Sequence, residues 1–168
     1  MKTLVLSFFL SFSMLIGFGQ EKTKQQIKEE QKLAKQKKVE ALVESKEYEF
    51  EGDMAYPQGG RSISLTTNQN YLRFKNDSIY SEMPYFGRAY GGLPYGGGAG
   101  LSFKGLIKKY SLTKGKKNFV IKGEVKDNSD NFSIILNVYY DGGASLTISS
   151  NNRDSINYRG EIQELKKE

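Results

Sequence analysis

The sequence contains neither cysteine nor histidine. Without cysteine the chain has no disulfides, so a hydrophobic core alone must stabilise its fold. Without histidine it lacks the commonest general base and metal ligand, which excludes Ser-His and Cys-His nucleophile pairs and the usual zinc sites. We therefore expect no bound metal. An enzyme built on this chain would have to work through carboxylates, serine, lysine or tyrosine.

Long apolar runs are also scarce, and the one that exists lies at the N-terminus. Lys2 precedes the run Leu4–Ile16, and the small-x-small pattern of residues 17–19 follows it. This order is typical of a secretory signal peptide. The alternative is a membrane anchor, but 13 residues fall short of the roughly 20 that span a bilayer. We expect cleavage between Gly19 and Gln20, export to the periplasm or outer envelope, and no membrane span afterwards.

The basic excess is mild once the charges are divided along the chain. The formal net charge is +6, and residues 21–47 hold eight lysines against six glutamates. From residue 48 onward, sixteen basic residues face thirteen acidic ones. A nucleic-acid binder concentrates basic residues and base-stacking aromatics on one face, so we expect no nucleic acid among the partners.

Residues 20–47 are predicted to form a charged helical segment. Lys, Glu and Gln dominate it, and neither Gly nor Pro interrupts it. Its apolar residues cluster between Val39 and Val43, so only the C-terminal part can bury a face. A basic helix lying on a membrane is the alternative, but the segment lacks Trp, Phe and a leucine-rich stripe.

Residues 48–165 carry the signature of an antiparallel β domain. Short runs alternate apolar and polar residues between turn signals, and the longest apolar face comprises Phe132, Ile134, Leu136, Val138 and Tyr140. The later connections are three to five residues long, which suits antiparallel neighbours because a parallel crossover needs a dozen or more. We predict an all-β fold of eight to nine strands, either a single barrel or a sandwich.

One glycine-rich stretch departs from this texture. Seven glycines fall between Gly87 and Gly100, and the aromatic residues Tyr85, Phe86, Tyr90 and Tyr95 lie among or beside them. With Arg88 to pair an anion, loop 84–100 is a candidate binding site for a sugar ring or a peptide segment. The alternative is a long connection whose aromatics close one end of the core. The spacing fits neither a phosphate loop nor a dinucleotide fingerprint, and we expect no cofactor.

Several segments together resemble a known family. They are Met83–Tyr90, Gly100–Gly105, the Gly143-Ala144 step, Ser149–Arg153 and Ile156–Gly160. The chain is similar over roughly residues 39–162 to the domain of unknown function family 4251, uncharacterised secreted proteins of Bacteroidetes. The resemblance implies a periplasmic or outer-envelope protein with no established activity, so it provides no catalytic residues.

Two further surface features have two interpretations each. The Asp-Ser-Ile tripeptides at Ser78 and Ser155 resemble an O-glycosylation sequon. The alternative is that each tripeptide is a turn followed by the start of a strand. A lysine group on one hairpin could face lipopolysaccharide or another acidic surface, or could simply keep an outward sheet face soluble. Its members are Lys104, Lys108, Lys109, Lys114, Lys116, Lys117, Lys122 and Lys126.

The main functional hypothesis is an exported, non-enzymatic β-domain that binds a small ligand or an envelope partner through loop 84–100. One alternative is a carboxylate-dependent hydrolase of envelope glycans, and another is a purely structural envelope component. Hydrolysis would need two acids facing one cleft. No pair stands out by spacing among Glu51, Asp53, Asp77, Glu82, Glu124 and Asp141.

Overall fold

The computed structural model describes residues 23–67, 69–90, 100–127 and 130–165. These ranges form one helix and nine strands: α1 (Lys24–Ser45), β1 (Glu47–Pro57), β2 (Ile63–Ser64), β3 (Tyr71–Lys75), β4 (Ser78–Met83), β5 (Leu101–Lys114), β6 (Asn118–Lys126), β7 (Asn131–Tyr139), β8 (Gly143–Ser150) and β9 (Ile156–Glu164). The prediction of an all-β antiparallel domain behind a charged helix is confirmed. The predicted signal peptide lies outside the described residues.

The chain divides after residue 33 into two units. Of the first unit the structure describes residues 23–33, which begin α1. A capping box starts this helix: the Gln26 backbone N–H donates to Thr23 Oγ1 (3.3 Å), and the Thr23 N–H donates to Gln26 Oε1 (2.9 Å). Ile27 and Leu33 remain exposed. No helix in the described ranges is both long enough and apolar enough to cross a membrane.

In the second unit the last turns of α1 lie across one end of the sheet. Val39 and Val43 are buried in the core. Glu40 pairs with Lys114 at the end of β5, and Lys38 pairs with Glu164 at the end of β9. The helix ends at Ser45, and the next residue, Lys46, has a left-handed φ of 55°. The cluster of apolar residues near the helix C-terminus is therefore the part that packs.

The strands close into a barrel of eight, β1 and β3 to β9. Sequential strands from β3 to β9 pair antiparallel, and β1 joins the two ends of this series. One edge of β1 pairs with β9 from Tyr48↔Glu164 to Pro57↔Ile156. The other edge pairs first with β3 and then with the short strand β2. Of the two predicted architectures, the barrel is therefore the correct one.

A bulge lets β1 exchange one neighbour for another. The register against β9 shifts between Gly52 and Met54, and such a bulge bends its strand. Asn70 fills the resulting seam: its Oδ1 accepts from the Gly52 N–H (2.6 Å) and its amide donates to the Leu65 carbonyl (3.3 Å). One buried amide thus satisfies backbone groups that the diverging strands leave open.

Side chains occupy the barrel interior. An eight-stranded barrel is just wide enough for its inward residues to fill it, and here they are almost fully buried. Two ring stacks lie among these side chains. Tyr48 of β1 stacks on Phe74 of the neighbouring β3 (4.6 Å between centroids), and Phe103 of β5 stacks on Phe132 of β7 (4.0 Å). Four depressions of 390 to 430 Å³ are each lined in part by lysine. The described interior is a hydrophobic core.

Candidate functional site

The end of the barrel away from α1 is closed by two segments, residues 84–90 and 151–155, which we call the barrel mouth. They meet at an antiparallel bridge between Ala89 and Arg153. Backbone hydrogen bonds flank the bridge, from the Tyr90 N–H to the Asn152 carbonyl (2.8 Å) and from the Asp154 N–H to the Arg88 carbonyl (3.0 Å). The start of loop 84–100 is therefore anchored to the β8–β9 connection.

Tyr85 is the side chain that seals the mouth. It is 6% exposed, and its hydroxyl donates to the carbonyls of Arg88 (2.7 Å) and Asp154 (3.1 Å). Burial raises the pKa of its phenol. A side chain at Gly87 would place its Cβ 2.3 Å from that hydroxyl, so glycine is required there for the ring to fold back. Tyr85 closes the core and does not face solvent.

Two residues that sequence analysis did not select support Tyr85. The Tyr158 hydroxyl donates to the Pro84 carbonyl (2.7 Å). The Arg153 guanidinium lies 5.4 Å from the centre of the Tyr85 ring, and its Nη1 donates to the Gly100 carbonyl (2.6 Å). In the sequence, both residues lie in segments that carry the family resemblance, and this was the one feature that pointed to them. Arg153 therefore ties together both ends of the predicted binding loop.

Phe86, Arg88 and Tyr90 point away from the core. Their side chains are exposed, Tyr90 at 70% and Phe86 at 38%. The Tyr90 hydroxyl donates to Asp154 Oδ1 (2.7 Å); this bond raises the pKa of the Tyr90 phenol, and the charge of Arg88 acts in the opposite direction. All three predicted residues are thus exposed at the mouth, and Arg88 lies close enough to Tyr90 to act on its pKa. Tyr95 lies outside the described residues.

We expect the substitution Tyr85→Phe to loosen the mouth without unfolding the barrel. It removes a hydroxyl that two backbone carbonyls share, at a cost of about 1 to 2 kcal/mol. Hydrogen exchange should show faster exchange of the Tyr90 amide, which is bonded to Asn152. Tyr139→Phe removes an exposed phenol elsewhere and should leave that amide unchanged. Equal exchange in both variants would contradict the sealing role.

The remaining predicted sites stand on separate parts of the surface. Ser78 opens β4 and Ser155 precedes β9, and both are half-buried. Each follows an aspartate at a turn, and their O-glycosylation stays a prediction. Of the lysine group, Lys109 pairs with Glu124 (2.9 Å) and Lys114 pairs with Glu40.

Two carboxylates converge on the outer wall of the barrel. Gln163 Nε2 donates to Glu49 Oε1 (3.3 Å) and to Glu51 Oε2 (2.5 Å). Glu49 was absent from the acids considered in the sequence, where it sits between two core residues of β1. It is 2% exposed and receives two donors of Arg73 at 2.8 Å each. A general acid must reach its substrate, so this arrangement favours a structural ion pair over hydrolysis.

No group of three or more acidic residues within the described ranges is arranged to hold a metal ion. Other acidic residues that were considered from the sequence as a possible hydrolase pair have polar partners of their own. Asp77 pairs with Lys46, Glu82 accepts from the Ser102 hydroxyl, and Asp141 accepts from the Gly143 N–H. These contacts connect neighbouring strands and turns, which is a structural use of carboxylates.

The fold and the mouth define a helix-capped, closed antiparallel β-barrel. The chain belongs to the family described as Domain of unknown function (DUF4251), whose model matches residues 30–162. The resemblance seen in the sequence is thereby confirmed. A crystal structure of a DUF4251 family protein from Bacteroides eggerthii DSM 20697 is similar in fold, with a TM-score of 0.61 and 15% sequence identity over 78% of this chain and 88% of that chain. No curated protein matches the chain.

Proposed function

We propose that the protein is an exported, non-enzymatic domain that binds an envelope ligand at the outer side of the barrel mouth. The observation that carries this proposal is the exposure of Phe86, Arg88 and Tyr90 on a backbone that is held in place. Loops that carry binding residues on a rigid scaffold are a common arrangement in proteins. The filled interior directs the proposal to the surface of the mouth.

The mouth is organised before any ligand arrives. The bridge of Ala89 with Arg153 fixes the backbone, and the bond to Asp154 holds the Tyr90 hydroxyl. A ligand that stacks on Tyr90 therefore has less conformational entropy to remove from the protein. An exposed ring held in this way supports binding better than a freely rotating surface tyrosine would.

The side chains favour a ligand with an apolar ring face and an anionic group. Phe86 and Tyr90 offer aromatic surface, and Arg88 can form a bidentate pair with a carboxylate or phosphate. Arg88 makes no ion pair within the part of the chain that the structure describes. An acidic sugar of an envelope glycan combines both features, and we take it as the ligand class.

Export can be tested by the mass of the protein taken from its own cells. We expect the periplasmic fraction to contain a chain that begins at Gln20, because the segment before it has the order of a signal peptide. Intact-mass spectrometry reads the cleavage site directly. The same spectrum shows whether sugars are attached, as they would be at Ser78 or Ser155. A full-length chain confined to the cytoplasm would contradict export.

Binding can be tested by NMR titration with two probes of equal length, an oligosaccharide of hexuronic acids and a neutral gluco-oligosaccharide. We expect the acidic probe to shift the amide signals of residues 86–90. Tyr90→Ala should weaken binding about 5- to 10-fold, since it removes one ring contact. Arg88→Gln should abolish the preference for the acidic probe because it removes the cation.

Tyr139→Ala is the matched control, since Tyr139 is an exposed tyrosine at the far end of β7. It should bind as the unmodified protein does. The proposal fails if neither probe shifts the mouth signals and no small molecule co-purifies with the periplasmic protein. A filled barrel with an inert mouth would instead favour the structural envelope component.

A further inference from the structure

The outer wall formed by β4, β5 and β6 carries an exposed leucine among lysines. Leu106 is 66% exposed, second only to Tyr90 among the exposed large apolar side chains of the described residues. Isolated apolar side chains are common on surfaces, but Leu106 is surrounded by one tyrosine and three lysines on the same face of the sheet. We define the Leu106 patch as Tyr80, Lys104, Leu106, Lys108 and Lys126.

Strand register places these side chains on one face. Tyr80 of β4 lies opposite Lys104 of β5. On the other side of β5, Ile107 pairs with Val125, so antiparallel register brings Leu106 opposite Lys126. Alternation along β5 puts residues 104, 106 and 108 on the same side. A shallow depression of about 420 Å³ is lined by Leu106, Lys108, Lys126 and Asp127.

The patch and its immediate neighbours keep a small excess of positive charge. None of its three lysines takes part in the ion pairs found among the described residues. The acids nearby are Glu124, Glu82 and Asp127. Glu124 is already paired with Lys109 (2.9 Å), and Glu82 accepts a bond from the Ser102 hydroxyl. Glu124 is also the cross-strand partner of Lys108, Glu82 lines a depression with Lys104, and Asp127 lines one with Lys108 and Lys126. With Lys109 counted, four lysines therefore lie among three acids.

We propose that the Leu106 patch docks the protein onto the surface of an anionic lipid bilayer. Lysine ammonium groups are attracted to the phosphates of acidic headgroups. Their long stems lie along apolar surface while the charge stays in water, which leaves Leu106 free to enter the headgroup and acyl boundary. Tyr80, exposed at 40%, has the amphipathic ring that suits the same depth.

Charge complementarity selects this partner over others. A protein partner would require a larger apolar centre than one leucine. Single-stranded nucleic acid requires several stacking aromatics along a basic groove, and the patch has one tyrosine. Binding to an anionic bilayer strengthens with each cation near the surface and with the apolar area that is inserted, and the patch offers three lysines and one leucine. Lys108 and Lys126 line a depression together with Asn151 of the barrel mouth, but the patch shares no residue with the mouth. Bilayer docking and ligand binding can therefore be tested with different substitutions.

Vesicle flotation with the mature protein tests the proposal. We expect binding to vesicles of phosphatidylethanolamine and phosphatidylglycerol, and none to phosphatidylcholine alone. The double substitution Lys104→Gln/Lys126→Gln should weaken binding roughly 20- to 30-fold, since each lysine near an anionic surface contributes about a 5-fold factor. Leu106→Ser should weaken it about 5-fold or more. Added salt should release the protein.

Matched substitutions on the same hairpin provide the controls. Lys116→Gln/Lys117→Gln removes the same charge from exposed positions at the β5–β6 turn, and Leu112→Ser removes a less exposed leucine from β5. Both should bind nearly as the unmodified protein does. Equal losses in test and control pairs would mean diffuse electrostatic attraction and would overturn the patch. Tyr90→Ala should leave vesicle binding intact, which separates this result from failure of the mouth.

Discussion

Gly160→Ala is expected to destabilise the barrel by at least about 3 kcal/mol. An added Cβ at this position would lie 1.9 Å from the Glu51 carbonyl oxygen and 2.8 Å from the Gly52 Cα. Both atoms belong to backbone, so no side-chain rotation can relieve the overlap. The two strands would have to separate, and they are the pair that closes the barrel.

The close approach follows from the bulge in β1. Gly160 of β9 lies opposite Gly52, immediately before the register shift, and a bulge bends its strand. Two glycines facing each other at this bend let the backbones come closer than paired residues with side chains would. The free energy of unfolding of a domain is about 5 to 15 kcal/mol, so adding this methyl group would remove a large part of the stability of the barrel.

Gly143→Ala provides the matched control on the neighbouring strand β8. Its Cβ would meet the Asp141 carboxylate oxygen at 3.3 Å, and that side chain can move. We expect a change below about 1 kcal/mol there. Thermal unfolding followed by circular dichroism should show a midpoint lowered by roughly 10 °C or more for Gly160→Ala. Equal midpoints for the two variants would refute the argument.

Local alternation was sufficient to predict most of the fold. The period-two pattern in β6, β7 and β8 places apolar residues inward, and short connections make the strands antiparallel. Closure could not be predicted this way, since it depends on β1 pairing with β9 across more than a hundred residues of sequence. Alternation also fails at Glu49, an outward residue of β1 that is nonetheless buried by its partners from β3 and β9.

At the barrel mouth, too, local sequence predicted part of the structure, and contacts between residues far apart in the sequence determined the rest. The composition of the loop identified Tyr85, Phe86, Arg88 and Tyr90 as candidate binding residues. It could not show that Tyr85 seals the core while the other three face solvent. That separation depends on Asp154 and other residues of the β8–β9 connection, which meet the loop only after folding. Contacts of this kind have no periodic signal in the sequence.

The barrel is expected to lose stability steeply above pH 10 because it buries phenols. Tyr48 and Tyr158 are 0% and 1% exposed, and burial raises the pKa of both well above the ordinary value of 10.0. Below pH 10 each phenol is protonated in the folded and unfolded chains alike. Above it, only the unfolded chain releases the protons, so each phenol costs about 1.4 kcal/mol per pH unit.

Urea unfolding between pH 8 and pH 12 measures how the free energy of unfolding falls with pH. Two substitutions show how much of this fall each phenol causes. Tyr158→Phe should flatten the slope but also lower stability by about 1 kcal/mol, since its hydroxyl bonds the Pro84 carbonyl. Tyr48→Phe should flatten it without that loss, because the Tyr48 hydroxyl has no hydrogen-bond partner among the described residues. Tyr139→Phe, at an exposed position, should keep the original slope. If all three variants lose stability with pH as the unmodified protein does, the phenols of Tyr48 and Tyr158 are not the cause. Other tyrosines whose pKa burial raises, such as Tyr85, or lysine deprotonation near pH 10.4 would then account for the alkaline transition.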